Sequence, residues 1–247
     1  MKRPKTIAEQ VVSQILGAYR KGFFPMADIH SGEIHWHNPE VRGVIPITAP
    51  VPSGERGFHV PRSLRQKVRS GRFVVTSDKA FAATIVGCAD PRRPGAWIDE
   101  TIIRTYRLLH DAGHAHSVEA WLTEEDGTAT LVGGLYGVSI GGAFFGESMF
   151  SLPEKGGTDA SKVCLVHLVA HLRRRGYTLL DSQMWSWHLE RLGAEEALRD
   201  DFLPLLTKAC RKKVSWGEFV ALSSDGDEER EGQRALPAGN AGQGESE

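Results

Sequence analysis

The segment Gly133–Ser151, read GGLYGVSIGGAFFGESMFS, decides the fold. A short apolar run from Leu135 to Val138 leads into Ser139-Ile140-Gly141-Gly142 and returns as Ala143-Phe144-Phe145. Apolar run, glycine turn, apolar run predicts a β-hairpin. Beyond it, Gly146-Glu147-Ser148 sets a bare backbone and a carboxylate among Phe144, Phe145, Met149 and Phe150. Glycine lets another molecule approach the main chain, and a carboxylate among aromatic rings is costly without a partner. The hairpin is either the wall of a site or a core hairpin whose Glu147 turns to water; pattern alone leaves both open.

Around this hairpin, strands and helices alternate. Phe73–Thr76, Ser117–Leu122 and Ala129–Val138 read as strands, with a tight turn at Asp126-Gly127. Ala80–Gly87 reads as a helix, and Asp99 caps another carrying Ile102, Ile103, Tyr106 and Leu109. Asp159–Arg175 predicts a long helix with Val163, Val166, Val169 and Leu172 inward, stopped by Gly176. Tyr177–Leu180 is a strand opening onto Asp181-Ser182-Gln183, and helices fill much of the remainder to Cys210. Upstream, Thr6 and Glu9 form a capping box for a helix with Ile7, Val11, Ile15 and Tyr19 on one face, ended by Gly22. Extended pieces follow at Ile34–Trp36 and Gly43–Ile47, then a breaker-rich stretch at Pro46, Pro50, Pro52 and Gly54. The expected class is α+β, with a small N-terminal domain over 1–57, a larger layered domain over 58–222 and a tail over 223–247.

With 247 residues, 40% hydrophobic and 25% charged, the chain has the composition of a soluble globular protein with a real core. No apolar run approaches the roughly 20 residues that cross a bilayer, and MKRPKTIAEQ lacks an apolar signal core. Cys88, Cys164 and Cys210 are too scattered for a disulfide framework or a structural zinc site, so a cytoplasmic setting is expected. The net charge of −1 is uneven: Ser223–Glu247 holds seven acids and two bases, a net of −5, which leaves +4 on residues 1–222. That tail has almost nothing apolar and is expected to be disordered. Arg56–Arg72 holds six bases and no acid, with Arg62, Arg65 and Arg69 on one helix face, a candidate for phosphates or an ordinary solvated face. Arg173-Arg174-Arg175 and Lys208 with Arg211-Lys212-Lys213 add to the case for an anionic partner.

Known catalytic signatures are missing: there is no GxSxG elbow, Walker loop or HExxH, and GGLYGVSIGG lacks dinucleotide-binding spacing. His110, His114 and His116 sit where a helix runs into a strand, a structural setting more than a metal site. Asp181 lies at the carboxyl end of a strand, a usual place for functional groups, with Gln183 on the same side if the chain stays extended. A cap for the next helix is the alternative for Asp181.

These residues resemble the leucyl/phenylalanyl-tRNA–protein transferase family. The resemblance is carried by GAYRKGFFPM (17–26), IHWHNPEVRGVIP (34–46), AWI (96–98), LLHDAGHAHSVEAW (108–121), GGLYGV with GESMFS, ASK (160–162), DSQ (181–183) and HLERLGA (188–194). It implies a small N-terminal domain beside a GNAT-like acyltransferase domain whose mixed sheet is flanked by helices. It also implies transfer of Leu or Phe, and less readily Met, from aminoacyl-tRNA to the N-terminal Arg or Lys of a protein, marking it for N-end rule degradation. No metal or other cofactor is implied, no membrane, and a monomer is expected.

Carried onto this sequence, the resemblance makes Asp181 the base or amine orienter, with Gln183 in its hydrogen-bond network; Glu147 would face the acceptor's amine or basic side chain, the alternative being that it holds the site's backbone in place. Leu135, Phe144 and Met149, beside Gly146 and Ser148, would form the aminoacyl pocket. Trp36 and Trp97 would stack on the terminal adenosine or the aminoacyl group, with core packing the rival for Trp97. Arg62, Arg65, Lys67, Arg69 and Arg72 would hold tRNA phosphates. Aminolysis of an ester needs no enzyme nucleophile, only two aligned substrates, a proton acceptor and oxyanion stabilisation. Ser182, Arg191, Ala197-Leu198 and the bulky Trp185 and Trp187 depart from the family pattern and touch the acceptor side most. Rival readings are a non-catalytic tRNA- or degron-binding relative and an acyl-CoA-dependent N-acyltransferase; Gly156-Gly157 lacks the spacing the latter needs.

Overall fold

The predicted capping box starts the first helix of the computed structural model. The Thr6 hydroxyl accepts from Glu9 N, and Glu9 Oε2 accepts from Thr6 N at 2.7 Å. Two orphan amides are thereby satisfied, and α1 (Ile7–Tyr19) turns Ile15, Leu16 and Tyr19 inward. The structure describes residues 5–28, 31, 33–48, 57–92 and 97–223. Residues 224–247 of the expected tail, Pro50, Pro52, Gly54, Arg56 and Ala96 lie outside them.

After α1, β1 (Phe24–Ala27) and β2 (Ile34–His37) form a small antiparallel sheet of their own. The large sheet takes β3 (Val41–Ile45), β4 (Val74–Ser77), β5 (Ala115–Thr123), β6 (Ala129–Ile140), β7 (Ala143–Ser151), β8 (Leu179–Gln183) and β9 (Glu195–Leu198). Its order is β4-β5-β6-β7-β8-β3-β9, antiparallel throughout except where β7 and β8 run parallel. The chain thus enters the large sheet at Val41, ahead of the breaker-rich stretch. Sequence periodicity cannot reveal this, because β3 pairs with strands far along the chain.

The central hairpin forms with longer arms than predicted. Ile140 pairs Ala143, so the turn shrinks to Gly141-Gly142, with Gly141 in the left-handed region at φ +58°. A side chain at Gly141 would also meet Cys210 O at 2.5 Å. Asp99 caps α4 (Glu100–Asp111) as expected, accepting from Ile102 N at 2.8 Å. Helices were expected to fill much of the chain from Gln183 to Cys210, but the segment Glu195–Leu198 within it is β9; edge pairing with β3 overrides its weak strand propensity.

One face of the sheet carries α5 (Ala160–Arg175), which is buried from Ala160 to Leu172 except at Lys162. The predicted inward face, Val163, Val166, Val169 and Leu172, packs on the sheet core, while Trp216, Phe219 and Leu222 cover other parts of the helix. The arginines at its end hold this covering segment: Arg174 donates to Val220 O and Arg175 to Ser215 O. Arg173 donates to Ile47 O, so all three arginines of this cluster serve main-chain carbonyls. The other face carries α1, α3 (Phe81–Cys88), α4 and α7 (Arg199–Cys210), with Tyr19, Ile85, Tyr106 and Phe202 buried together.

Candidate active site

The pairing of β7 with β8 runs through Ala143–Leu179, Phe144–Leu180 and Phe145–Asp181 and ends there. Each strand then carries an extra residue. On β7, Tyr136 faces Ser148 and Gly137 faces Gly146, which leaves Glu147 bulged. On β8, Gly43 faces Gln183 and Val44 faces Asp181, which leaves Ser182 bulged. Bulges re-aim side chains and end ladders, and here two of them face one gap. A cavity of about 240 Å³ opens in it. Its apolar wall includes Ile45, Leu135, Leu165, Leu168 and Leu180, and its polar end is Glu147, Ser148, Asp181 and Gln183.

Glu147 is gripped from three elements. Tyr19 Oη of α1 lies 2.7 Å from Oε1, and Tyr106 Oη of α4 lies 2.9 Å from Oε2. Gln183 Nε2 donates to Oε1 at 2.9 Å, and the two tyrosine oxygens approach each other to 2.5 Å. Burial, with the Asp181 charge adding to it, pushes the carboxyl up to about 7, against the lowering pull of the two hydroxyls and Arg42. Burial first and Glu147 second hold both tyrosines well above their ordinary range.

Asp181 is fully buried, and both its oxygens are taken. Arg42 Nε donates to Oδ1 at 2.9 Å and Nη2 to Oδ2 at 2.6 Å. The remaining guanidinium nitrogen, Nη1, donates to Gly22 O at 2.8 Å. Phe24 and Phe202 lie 4.6 Å and 4.8 Å from the guanidinium carbon, so the cation is enclosed by rings and hydrogen bonds together. Asp181 Oδ1 also accepts from Gln183 N at 2.8 Å. That bond spans Gln183's left-handed backbone, φ +59°, a conformation that persists only when its surroundings impose it. Asp181 therefore fixes Gln183, and Gln183 holds Glu147.

Of the residues singled out from sequence, Glu147, Asp181, Gln183, Leu135, Gly146, Ser148 and Met149 line this one cavity. Phe144 does not: it is fully buried on the sheet core, its ring 5.4 Å from Trp216 and close against Gly137. Trp97 packs on the core beside α4, and Trp36 is exposed on β2; neither lines the cavity. On α2 (Arg62–Arg69), Arg62 and Arg69 are exposed and make no ion pair among the described residues. Lys67 instead pairs with Asp159, Arg65 donates to Val60 O and Arg72 to Gly156 O at 3.0 Å. His116 is structural, its Nδ1 2.7 Å from Asp78 Oδ2. Sequence reading missed Arg42, Tyr19 and Tyr106. An arginine inside the apolar run Val41–Ile45 was the available signal for Arg42.

Comparison with known proteins bears on this geometry. The family model described as leucyl/phenylalanyl-tRNA protein transferase matches residues 54–207, and that of the same family's N-terminal domain matches residues 12–40. A leucyl/phenylalanyl-tRNA–protein transferase of Maricaulis maris (strain MCS10) is 48% identical over 215 residues, 86% of this chain and 90% of that protein. The crystal structure of FemX matches with a TM-score of 0.51 at 10% identity, over 75% of this chain and 66% of that one, a likeness of fold alone. The expected α+β architecture, a small N-terminal part beside a helix-flanked mixed sheet, is the one present.

Proposed function

Because the chain belongs to the leucyl/phenylalanyl-tRNA–protein transferase family, we propose that the cavity between β7 and β8 is where its aminoacyl transfer takes place. The protein is an enzyme, an aminoacyltransferase that draws on aminoacyl-tRNA and delivers to protein. In this reading a Leu or Phe side chain lies against Leu135, Leu165, Leu168 and Met149. The acceptor's N-terminal amine, with its Arg or Lys side chain, lies at the Glu147 end.

The reaction joins the acceptor nitrogen to the ester carbonyl carbon. The carbon–oxygen bond to the tRNA ribose breaks, the ribose oxygen leaves with a proton, and the amine loses one. An α-amino group of pKa about 7.7–8 is partly neutral at cellular pH, so positioning does much of the work. Asp181, spoken for by Arg42, acts as the positioning residue that sets Gln183 and through it Glu147. An apolar wall that discriminates by about 1–3 kcal/mol per methylene suits acceptance of Leu, Phe and Met alike. The exposed Arg62 and Arg69, with their neighbours on α2, would meet acceptor-stem phosphates without reading sequence. Transfer to an N-terminal Arg or Lys would make the product a substrate for N-end rule degradation.

One observation carries this reading: a single cavity joins an apolar wall to a carboxylate end. The test is incubation with Leu-, Phe- and Met-tRNA and peptides beginning with Arg, Lys or Ala, followed by mass analysis. Addition of Leu or Phe to the Arg and Lys peptides only is expected. Equal addition to the Ala peptide would remove the acceptor role of Glu147.

A further inference from the structure

Three oxygen pairs close a loop around Glu147: Tyr19 Oη to Oε1 at 2.7 Å, Tyr19 Oη to Tyr106 Oη at 2.5 Å, and Tyr106 Oη to Oε2 at 2.9 Å. Oxygens at such separations need a proton between them. Two phenol hydroxyls supply two protons for three contacts. The third is available only if the carboxyl keeps its own: Oε2–H donates to Tyr106, Tyr106 donates to Tyr19, and Tyr19 donates to Oε1. An ionised Glu147 would draw both hydroxyl protons to itself and leave the two tyrosine oxygens bare against each other.

The surrounding charges agree with this count. Arg42, of β3, spends Nε and Nη2 on Asp181 and Nη1 on Gly22 O. The Arg42–Asp181 pair is neutral as a unit, so among the described residues an ionised Glu147 would have no cation hydrogen-bonded to it. The groups facing Glu147 or lining the cavity beside it are Tyr19 from α1, Tyr106 from α4, Tyr136 from β6, Asp181 and Gln183 from β8, and His188 from α6 (Trp187–Glu190).

We propose that Glu147, Tyr19 and Tyr106 form a closed hydrogen-bonded ring that holds the carboxyl as a neutral acid, and that a cationic amine arriving beside it displaces that proton to solvent. No covalent bond to carbon forms in this exchange. The carboxyl O–H breaks, its proton goes to water, and an N–H···O⁻ contact takes its place. Tyr19 and Tyr106 are positioning residues whose hydroxyls set the charge state of the site. Apparent acceptor affinity then falls about tenfold per pH unit on the acid side of the exchange. The exchange rests on the acceptor reading above, whereas the ring does not.

The test uses the full chain. Ordinary Asp and Glu are ionised above about pH 6, so a protonated-carboxyl infrared band that titrates out between pH 6 and 8.5 reports Glu147 in the wild type. The band is expected, and Glu147→Gln should abolish it; no titrating band overturns the ring. Melting gives a second readout. With the folded carboxyl pushed up to about 7 from 4.5, its stabilisation is full below pH 4.5 and is lost as pH rises through 7. Glu147→Gln keeps an amide hydrogen for Tyr106 and has no such loss. Its melting temperature minus that of the wild type should climb by several degrees from pH 4.5 to 7 and then level. A flat difference overturns the ring. Adding a peptide that begins with Arg at pH 6 should release up to one proton per peptide bound. Binding without release overturns the exchange. No binding overturns the exchange together with the acceptor reading, while infrared and melting still decide the ring.

Discussion

Arg42 and Asp181, 139 residues apart in sequence, meet in a bidentate ion pair that leaves 1% and 0% of their side chains exposed. The pair ties the N-terminal strand β3 to β8 at the point where the cavity opens. Removing one member of such a pair strands a buried charge, at a cost of about 3–5 kcal/mol. Asp181→Ala and Arg42→Met are each expected to lose transfer of Leu to an Arg-starting peptide and to lower the denaturation midpoint by a matching amount. A fully stable Asp181→Ala protein without activity would instead make Asp181 the base.

The basic face of α2 predicts a salt law. Log affinity for aminoacyl-tRNA should fall linearly with log salt, and Arg62→Ala and Arg69→Ala should each reduce the slope by about 1. Lys67→Ala should change it less, because that ammonium already pairs with Asp159. Titration by filter binding at several salt concentrations checks this, and an affinity indifferent to salt would dismiss the phosphate role.

Met149 lines the cavity and is partly buried against the sheet core. Met149→Ala enlarges the aminoacyl end and should raise use of Phe-tRNA relative to Leu-tRNA by roughly tenfold, within what a change of about 1–3 kcal/mol per methylene allows. Competition between the two charged tRNAs measures the ratio; an unchanged ratio takes Met149 out of side-chain selection.

Gly137 sits at the bulge that turns Glu147 inward. A Cβ there would meet Phe145 O at 2.2 Å and the Phe144 ring at 2.5 Å. Gly137→Ala is expected to cost about 1–3 kcal/mol through overpacking and to lower activity, as β7 shifts and carries Glu147 with it. Thermal melting and transfer assays together test the coupling, and unaltered activity would mean that the bulge tolerates the shift.

The elements legible from sequence were those whose signals are local. Thr6 and Glu9 announced α1, Asp99 announced α4, and the Gly141-Gly142 turn announced the hairpin. Glu147 drew notice as a carboxylate among aromatic neighbours, and Gln183 as the residue two past Asp181 at the end of a strand. What escaped notice depends on partners far along the chain. Tyr19 and Tyr106 lie in inward helical stripes, where a tyrosine reads as core until the carboxylate that meets its hydroxyl is known. Phe144 shares a sheet face with Leu135 and Met149 but lies farther along the ladder, opposite Ser139, where Trp216 covers it; that cover comes from a segment some 70 residues later and no local pattern announces it. Residues 195–198 form a strand only because β3 offers them an open edge.

The position of β3, slotted between β8 and β9, also bears on how the molecule is made. The ladder on both sides of Val41–Ile45 must wait for residues that are synthesised 135 to 157 positions later. Such non-local closure is slow, and until it happens the exposed edge of β8 is open to unwanted pairing. A fragment that starts after Ile45 would lack Arg42 as well as its strand, so trimming the N-terminal piece should yield a sticky, inactive remnant rather than a smaller enzyme.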